Sequence, residues 1–486
     1  MAKRVAVIDI GSNSIRMVVY EKTSRFAFHL LHEAKSKVRL SENAYQNGGN
    51  LQPEAMQRTY NALSDFLSIA KSFNARKTLC VATSALRDAP NKKDFLSKIS
   101  KQLQLNIKII DGEKEAYLGS IACANLLPEQ HNAISIDIGG GSTEFSLIDG
   151  KNVTNSFSLK LGTVRLKELY FDNKDIDGAI KYIDEKLECL DKFDATTLIG
   201  VGGTFRAISS VMIKNENYPL NKLHAYECSS GDFKKYLTKL LHSDAQQLKK
   251  IGIKQDRFDI IKPGVLILQR VLNRLSINKL ITSGVGVRDG VYLADLLRHS
   301  KDKFPSNYNT SVRYLIDSHI NDHNYSNQLN KLSKEIFDLV YEKLNLNIKY
   351  RRDLSISAKL YPSGSSVHFY SKNKHSYYLI LSALEYGFTH KQILLIATLN
   401  RYAKNKHPSS TYINEFKDLL PDLKTLEKLS YILSLTIALL SHRPRNIDFK
   451  ISFENKTLKI DSKNELHLSK EAVKRLSKIK ELEIEF

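Results

Sequence analysis

The sequence predicts an α/β protein built from two successive, similarly ordered α/β segments, followed by a helical domain and a small α+β module. Three observations carry this. The runs Asp9-Ile10-Gly11-Ser12-Asn13-Ser14 and Asp137-Ile138-Gly139-Gly140-Gly141-Ser142-Thr143-Glu144 each follow a burst of β-branched and small apolar residues, Val5–Ile8 and Ala133–Ile136, and so close buried strands with tight turns. Strand-like and helix-period stretches alternate from there to about His299. Beyond His299 glycine-rich turns become sparse and long helical patterns take over.

In chain order, Val5–Tyr20 reads as a hairpin around the first run, and Phe26–Val38 continues the alternation. Pro53 opens a helix with Met56, Tyr60, Leu63, Phe66, Leu67 and Ala70 at 3–4 spacing. A strand at Lys77–Ala82, a helix near Lys92–Leu103, a strand at Ile107–Ile110 and a helix at Ala116–Leu127 complete the first segment, 1–128. The second, 129–300, restarts with strands at Ala133–Ile138, Thr143–Asp149 and Asn152–Lys160, a helix at Asp175–Leu190 and a strand at Thr197–Val201. Gly202-Gly203-Thr204 reads as a turn into a helix starting near Arg206, and a strand at Lys279–Thr282 runs into Ser283–Gly290 and a helix through Leu297. Helical patterns at Asn327–Leu344, Ser355–Leu360, Ser376–Tyr386 and His390–Ala403 define a domain over 301–445. Alternation returns from Ile447, with a helix at Lys470–Ile479 and a final strand, in a module over 446–486.

The 486 residues suit about three or four domains at ~100–200 residues each. No run of about 18 uncharged apolar residues occurs, which argues against a spanning helix. The stretch from Met1 to Asp9 is too short for a secretory apolar region with a cleavage site, so the cytoplasm is the expected compartment. Cys80, Cys123, Cys189 and Cys228 lack zinc spacing and read as reduced thiols. The net charge of +21 favours polyanionic partners such as nucleotides, polyphosphate or RNA.

The paired turns supply the chemistry. In them, main-chain N–H groups and hydroxyls of Gly11, Ser12, Asn13 and Ser14, and of Gly139, Gly140, Gly141, Ser142 and Thr143, can hold phosphate oxygens. Asp137 and Glu144 flank the second turn and can reach one Mg²⁺ at its edge, unless Glu144 faces solvent. Asp9 holds the matching place in the first half and is expected to contact metal through water. Glu115, at a helix start just before the second turn, is a candidate for orienting or deprotonating water; Glu113 competes with it, one helical step off. Arg87 follows a strand and is either a clamp for a terminal phosphate or a surface arginine. Gly202, Gly203 and Thr204 are either a plain turn or the place of a nucleotide base or a further phosphate.

Taken with Ala82–Arg87, Gly112–Ala116, Leu161–Leu166 and Gly284–Gly290, these runs resemble, in order and over about the first 300 residues, the exopolyphosphatase/guanosine pentaphosphate phosphohydrolase (Ppx/GppA) family. The resemblance implies duplicated actin-like domains of the sugar kinase/Hsp70 ATPase superfold and Mg²⁺-dependent hydrolysis of the terminal phosphate of inorganic polyphosphate or of pppGpp, giving ppGpp. It places the catalytic glutamate on Glu115 and the metal-linked acids on Asp137 and Glu144. The C-terminal half resembles the family's long form, whose third domain is HD-like, through Ser376–Ile380 after His375 and Leu399-Asn400-Arg401-Tyr402. Leu360-Tyr361-Pro362 stands where a His-Asp doublet belongs, so His323, His368 and His375 are not expected to form a binuclear site. That domain is expected to help bind long anionic substrates or form a homodimer, with no membrane and no specific nucleic acid as partner. Two other readings stay open: a non-catalytic sensor of (p)ppGpp or polyphosphate, and an ATP-dependent kinase of the same superfold.

Overall fold

The computed structural model describes residues 3–403 and 407–486. The chain forms two compact units, Met1–Tyr308 and Asn309–Phe486.

The first unit holds two sheets of matching topology. In the first lobe, β1 (Lys3–Ile10), β2 (Ile15–Lys22) and β3 (Phe28–Ser36) form an antiparallel meander, to which β4 (Lys77–Ala82) and β5 (Lys108–Ile109) add in parallel, in the order β3-β2-β1-β4-β5. In the second lobe, β6 (Ala133–Ile138), β7 (Thr143–Asp149) and β8 (Asn152–Leu159) repeat the meander, and β9 (Thr197–Val201) and β11 (Lys279–Thr282) add in parallel. An antiparallel edge strand, β10 (Tyr226–Ser229), is the one departure from the matched order. In the second lobe the parallel strands β6, β9 and β11 run almost entirely buried because helices cover both faces, which is why they read as continuous apolar stretches. Ile8, Ile10 and Met17 centre one core, and Ile134, Ile136, Phe145 and Leu198 the other.

Helix starts differ from the sequence reading at two places in the first unit, and in the second unit the helices expected from Asn327, Ser355, Ser376 and Lys470 begin three to five residues earlier, at His323, Tyr350, Lys372 and His467. The helix expected from Ala116 spans Gly112–Leu126, because the Asp111 side chain accepts the Lys114 N–H at 2.7 Å and caps it there, four residues earlier. The helix expected near Arg206 spans Gly202–Asn215, so Gly202-Gly203-Thr204 is its first turn rather than a turn preceding it. Gly202 enters at φ +83°, and a Cβ there would lie 2.3 Å from Asp137 Oδ1, so only glycine lets strand pass into helix against that carboxylate. From Leu429 onward the helix Leu423–Leu439 is buried on every side, so that stretch carries no amphipathic period to mark it in the sequence.

The second unit is helical, with Thr310–His319, His323–Val340, Tyr350–Leu360, Lys372–Ala383, His390–Tyr402 and Leu423–Leu439, followed by a three-stranded sheet. Leu329, Leu332 and Ile336 on one helix face share a core with Leu399, Ile432 and the strand residues Phe449, Leu458 and Ile460. Tyr361 opens a buried 3₁₀ turn, Tyr361–Ser366. Among the described residues no helix is long and apolar enough to cross a membrane.

Candidate active site

The turns after β1 and β6 are geometric twins. Each spans four residues between antiparallel strands, and each is closed from its first glycine to its last carbonyl: Gly11 N–H donates to Ser14 O at 3.3 Å, and Gly139 N–H to Ser142 O at 2.9 Å. Register then decides which side chains flank them. Asp9 lies directly across from Arg16, and Asp137 directly across from Glu144. Cross-strand partners share one face of the sheet with Cβ atoms ~4.5–5.5 Å apart, so the two halves present an acid beside a base in one case and two acids in the other.

Both turns open onto one cleft of about 170 Å³ at the carboxyl ends of the parallel strands, the place where α/β sheets ordinarily receive ligands. Asp9, Gly11–Ser14, Glu115, Asp137, Gly139–Ser142, Glu144 and Gly202–Thr204 all line it. Two candidates do not. Thr143 is buried behind its turn and donates its hydroxyl to the Leu161 carbonyl. Arg87 instead donates to Glu115 Oε2 at 2.9 Å and to the Ile110 carbonyl at 3.1 Å. Of the two glutamates in competition, Glu113 is exposed and Glu115 is buried at the cleft wall. Glu144 is also buried rather than solvent-facing, and its Oε1 accepts from the Ser158 hydroxyl at 2.8 Å.

The second turn is buttressed from behind. The N–H groups of Thr163, Val164 and Arg165, opening the short helix Thr163–Leu166, donate to the Gly139 carbonyl at 3.0 Å and to the Gly140 carbonyl at 2.8 and 3.1 Å. Arg165 Nε adds a bond to the Gly141 carbonyl at 3.0 Å. These bonds engage the carbonyls of all three glycines of the turn.

Six cations that the sequence reading did not single out line the same cleft: Arg16, Lys35, Lys37, Arg206, Arg257 and Arg288. A local signal existed for two of them. Arg16 faces Asp9, and Lys35 faces Arg16, so one row crosses β1, β2 and β3 and follows from strand period and hairpin register. Arg206, Arg257 and Arg288 come from separate elements and carry no local signal. Arg288 donates to Glu33 at 2.8 Å, and Arg206 to the Gly202 and Gly284 carbonyls at 3.0 and 3.2 Å.

Burial shapes the charges. It pushes the Asp9 carboxyl up to about 6, against the pull of Arg288 and Arg16 and with Asp137 adding to it. Burial likewise raises Asp137, opposed by Arg206, Arg16 and Arg288. Glu144 stands well above the usual carboxylate range through burial and then through the charge of Glu115. Burial also raises Glu115, against its bond to Arg87. Burial and the neighbouring Arg288 and Arg206 bring Arg16 down to about 10.

The donor set suits a particular kind of metal. Among the described residues no three His, Cys, Asp or Glu side chains are gathered into one cluster. Mg²⁺ is held by one or two carboxylates together with waters and substrate phosphates. Asp137 and Glu144, paired across β6 and β7 with the Asp137 charge helping to raise Glu144, are the two carboxylates that could serve such an ion.

The profile of the Ppx/GppA phosphatase family matches residues 18–299, more than half of the chain. The chain belongs to the Ppx/GppA phosphatase family. The profile of Ppx/GppA phosphatase domain III matches 309–483, so the helical unit is part of the same family's long form. Solved structures agree: an exopolyphosphatase from Cytophaga hutchinsonii is 26% identical, with a TM-score of 0.58 over 62% of this chain and 100% of that one. The Ppx/GppA family member from Aquifex aeolicus is 26% identical, with a TM-score of 0.54 over 62% of this chain and 99% of that one. The twin sheets of this Ppx/GppA chain are thus the actin-like pair that the resemblance implied. A bifunctional 3-dehydroquinate synthase/phosphatase from Fusobacterium nucleatum subsp. nucleatum is 31% identical over 297 residues, covering 57% of this chain and 44% of that protein. The present chain therefore spans less than half the length of that curated relative.

Proposed function

We propose that this chain hydrolyses the terminal phosphoanhydride of a phosphate chain, inorganic polyphosphate or the 5′-triphosphate of pppGpp, with Mg²⁺. One observation carries the reading: a buried glutamate, Glu115, shares a single cleft with two twin phosphate turns. The turns Gly11–Ser14 and Gly139–Ser142 hold the terminal phosphate through main-chain N–H groups and hydroxyls. Glu115 accepts a hydrogen bond from the attacking water and takes its proton as the new P–O bond forms, and Arg87 fixes the orientation of that carboxylate. The next phosphate of the chain leaves with the electron pair of the broken P–O bond.

Asp137 and Glu144 would hold the magnesium, which supplies charge neutralisation at the phosphate oxygens when bound. The helix that begins at Gly202 adds free N–H groups of its first turn for a further phosphate or a nucleotide. Arg16, Arg206, Arg288 and the two lysines neutralise the rest of the chain. A protein that only senses the ligand has no need of a buried carboxylate aligned by an arginine, and this favours hydrolysis over binding alone.

The test is phosphate release from long-chain polyphosphate, short chains and pppGpp, side by side, by the wild-type chain and by Glu115→Gln. Removing a positioned base typically costs ~10²–10⁴ in rate. Release by the wild type that falls by at least 100-fold in a folded E115Q supports the assignment; unchanged release refutes it. Tight binding of either ligand with no release at any Mg²⁺ concentration would establish the sensor instead.

A further inference from the structure

In the second unit, residues 366–378 form a surface unlike the rest of the chain. Val367, Phe369, Tyr370 and Tyr378 are 57%, 68%, 74% and 62% exposed, whereas the other strongly exposed large apolar side chains are scattered along the sequence. The same stretch is free of negative charge: no Asp or Glu occurs from Leu354 to Leu384, while Lys359, Lys372 and Lys374 are cationic. On neighbouring elements Asp322 is ion-paired with Arg443 at 3.3 Å and Asp317 with Arg313 at 2.8 Å.

The cations and rings are interleaved in space as well as in sequence. Lys372 Nζ sits 5.4 Å from the centre of the Phe369 ring. Lys374 and Tyr378, four residues apart on the helix Lys372–Ala383, share one face. The Phe369 and Tyr370 rings stand 5.5 Å apart at 83°, and His368 lies 5.8 Å from Tyr370.

We propose that this surface binds single-stranded nucleic acid without fixed sequence, the bases stacking on Phe369, Tyr370 and Tyr378 and the phosphates running over Lys372 and Lys374. Exposed aromatic rings interleaved with cations are the combination that holds unpaired strands, since every base has a face to stack. Rings at 83° receive two bases turned against each other, which a splayed strand offers and the parallel stack of a duplex does not. Inorganic polyphosphate would use the lysines and leave the rings without a role. A second copy of the chain, docked by a two-fold axis, would set these cations against themselves. Val367 and Phe369 alone are purely apolar here, a small area with which to enter a membrane.

The test uses the full chain and short fluorescently labelled oligouridylate, oligodeoxythymidylate and a duplex of equal length, followed by anisotropy across a salt series. Stacking worth ~1–3 kcal/mol per base corresponds to a 5- to 150-fold loss of affinity for each ring removed. Phe369→Ala/Tyr370→Ala is thus expected to weaken binding of either single strand at least 10-fold, with thermal unfolding and phosphate release at wild-type levels. Lys372→Gln/Lys374→Gln is expected to reduce the salt slope by about 1.4, at ~0.7 for each phosphate no longer neutralised. Tighter binding of RNA than of DNA would identify RNA as the partner, and the reverse DNA. Strands held equally well by F369A/Y370A, a duplex preferred over both, binding to phosphatidylserine vesicles in place of strands, or a dimer in sedimentation that F369A/Y370A dissolves would each overturn the proposal. Because the ring variants leave the cleft intact, loss of strand binding and loss of phosphate release report separately.

Discussion

The most direct probe of the cleft is a substitution that touches none of its chemical groups, Gly162→Ala. A Cβ on Gly162 would lie 2.4 Å from the Gly140 carbonyl oxygen, 2.5 Å from the Gly140 carbonyl carbon and 2.6 Å from that of Gly141. Each distance is about 1 Å short of ordinary contact, and each neighbour is backbone with no flexible side chain to yield. Gly162 sits at φ −148° and ψ 164°, open to any residue, so the whole effect comes from the clash. Relief requires moving Gly139–Gly141 off the helix Thr163–Leu166, at the expense of the Thr163, Val164 and Arg165 N–H bonds to that turn. Overpacking of this kind costs ~1–3 kcal/mol, and a displacement of about 1 Å at a reacting centre can cost ~100-fold in rate. The expected result is a modest drop in the urea midpoint together with a fall of about two orders of magnitude in kcat/KM for phosphate release. Gly231→Ala is the control: its Cβ would meet nothing closer than Ser229 Oγ at 3.9 Å, within a helix, and should be neutral or slightly stabilising. Wild-type turnover in G162A would refute the claim that the second turn is held in place for phosphate by this close approach.

Three further outcomes are expected. Arg87→Ala should destabilise the first unit by ~1–3 kcal/mol in urea unfolding and by much less when made on top of Glu115→Gln; additive losses would show that the 2.9 Å pair is not energetically coupled. Chelation of Mg²⁺ should abolish phosphate release, and Asp137→Asn and Glu144→Gln should each raise the Mg²⁺ concentration needed for half-maximal rate at least 10-fold; a wild-type metal titration in both variants would remove them from that role. In the second unit, burial raises the Asp353 carboxyl from 3.8 to about 6, with Arg352 and a 3.1 Å bond from Gln392 opposing the rise. Its ionised form is thus disfavoured in the fold, and stability present below the unfolded pKa is lost as pH climbs through about 6. Asp353→Asn removes that loss, so it should stabilise the chain at pH near 7.5 by up to about 3 kcal/mol, less where solvent screens, with the gain shrinking toward pH 5. A variant less stable than wild type at the higher pH would refute this reasoning.

Strand limits were legible where burial is two-sided: Lys77–Ala82, Ala133–Ile138, Thr143–Asp149, Thr197–Val201 and Lys279–Thr282 lie where their apolar runs put them, because helices on both faces demand unbroken hydrophobic strands. Legibility failed at helix starts. A capping aspartate at Asp111 and a left-handed glycine at Gly202 set the limits there, and neither alters the apolar period. The helix Leu423–Leu439 is buried on every side from Leu429 onward, so that stretch has no polar face to betray its pitch.

By itself the sequence determined that two Asp-Ile-Gly turns close equivalent strands, and that Asp9, Glu115, Asp137 and Glu144 stand near them, since turn chemistry and strand period are local properties. Which acid sits beside which base was a tertiary matter. Cross-strand register set Arg16 against Asp9 but Glu144 against Asp137, pairing an acid with a base in one half of a duplicated frame and two acids in the other. The packing of one lobe on the other brought Arg206, Arg257 and Arg288 to a turn that begins at Gly11, and the fold set Arg87 against Glu115. Charges far apart in sequence meet only when the chain closes, because the free energy that assembles the cleft lies in the cores behind it and not in the charges themselves.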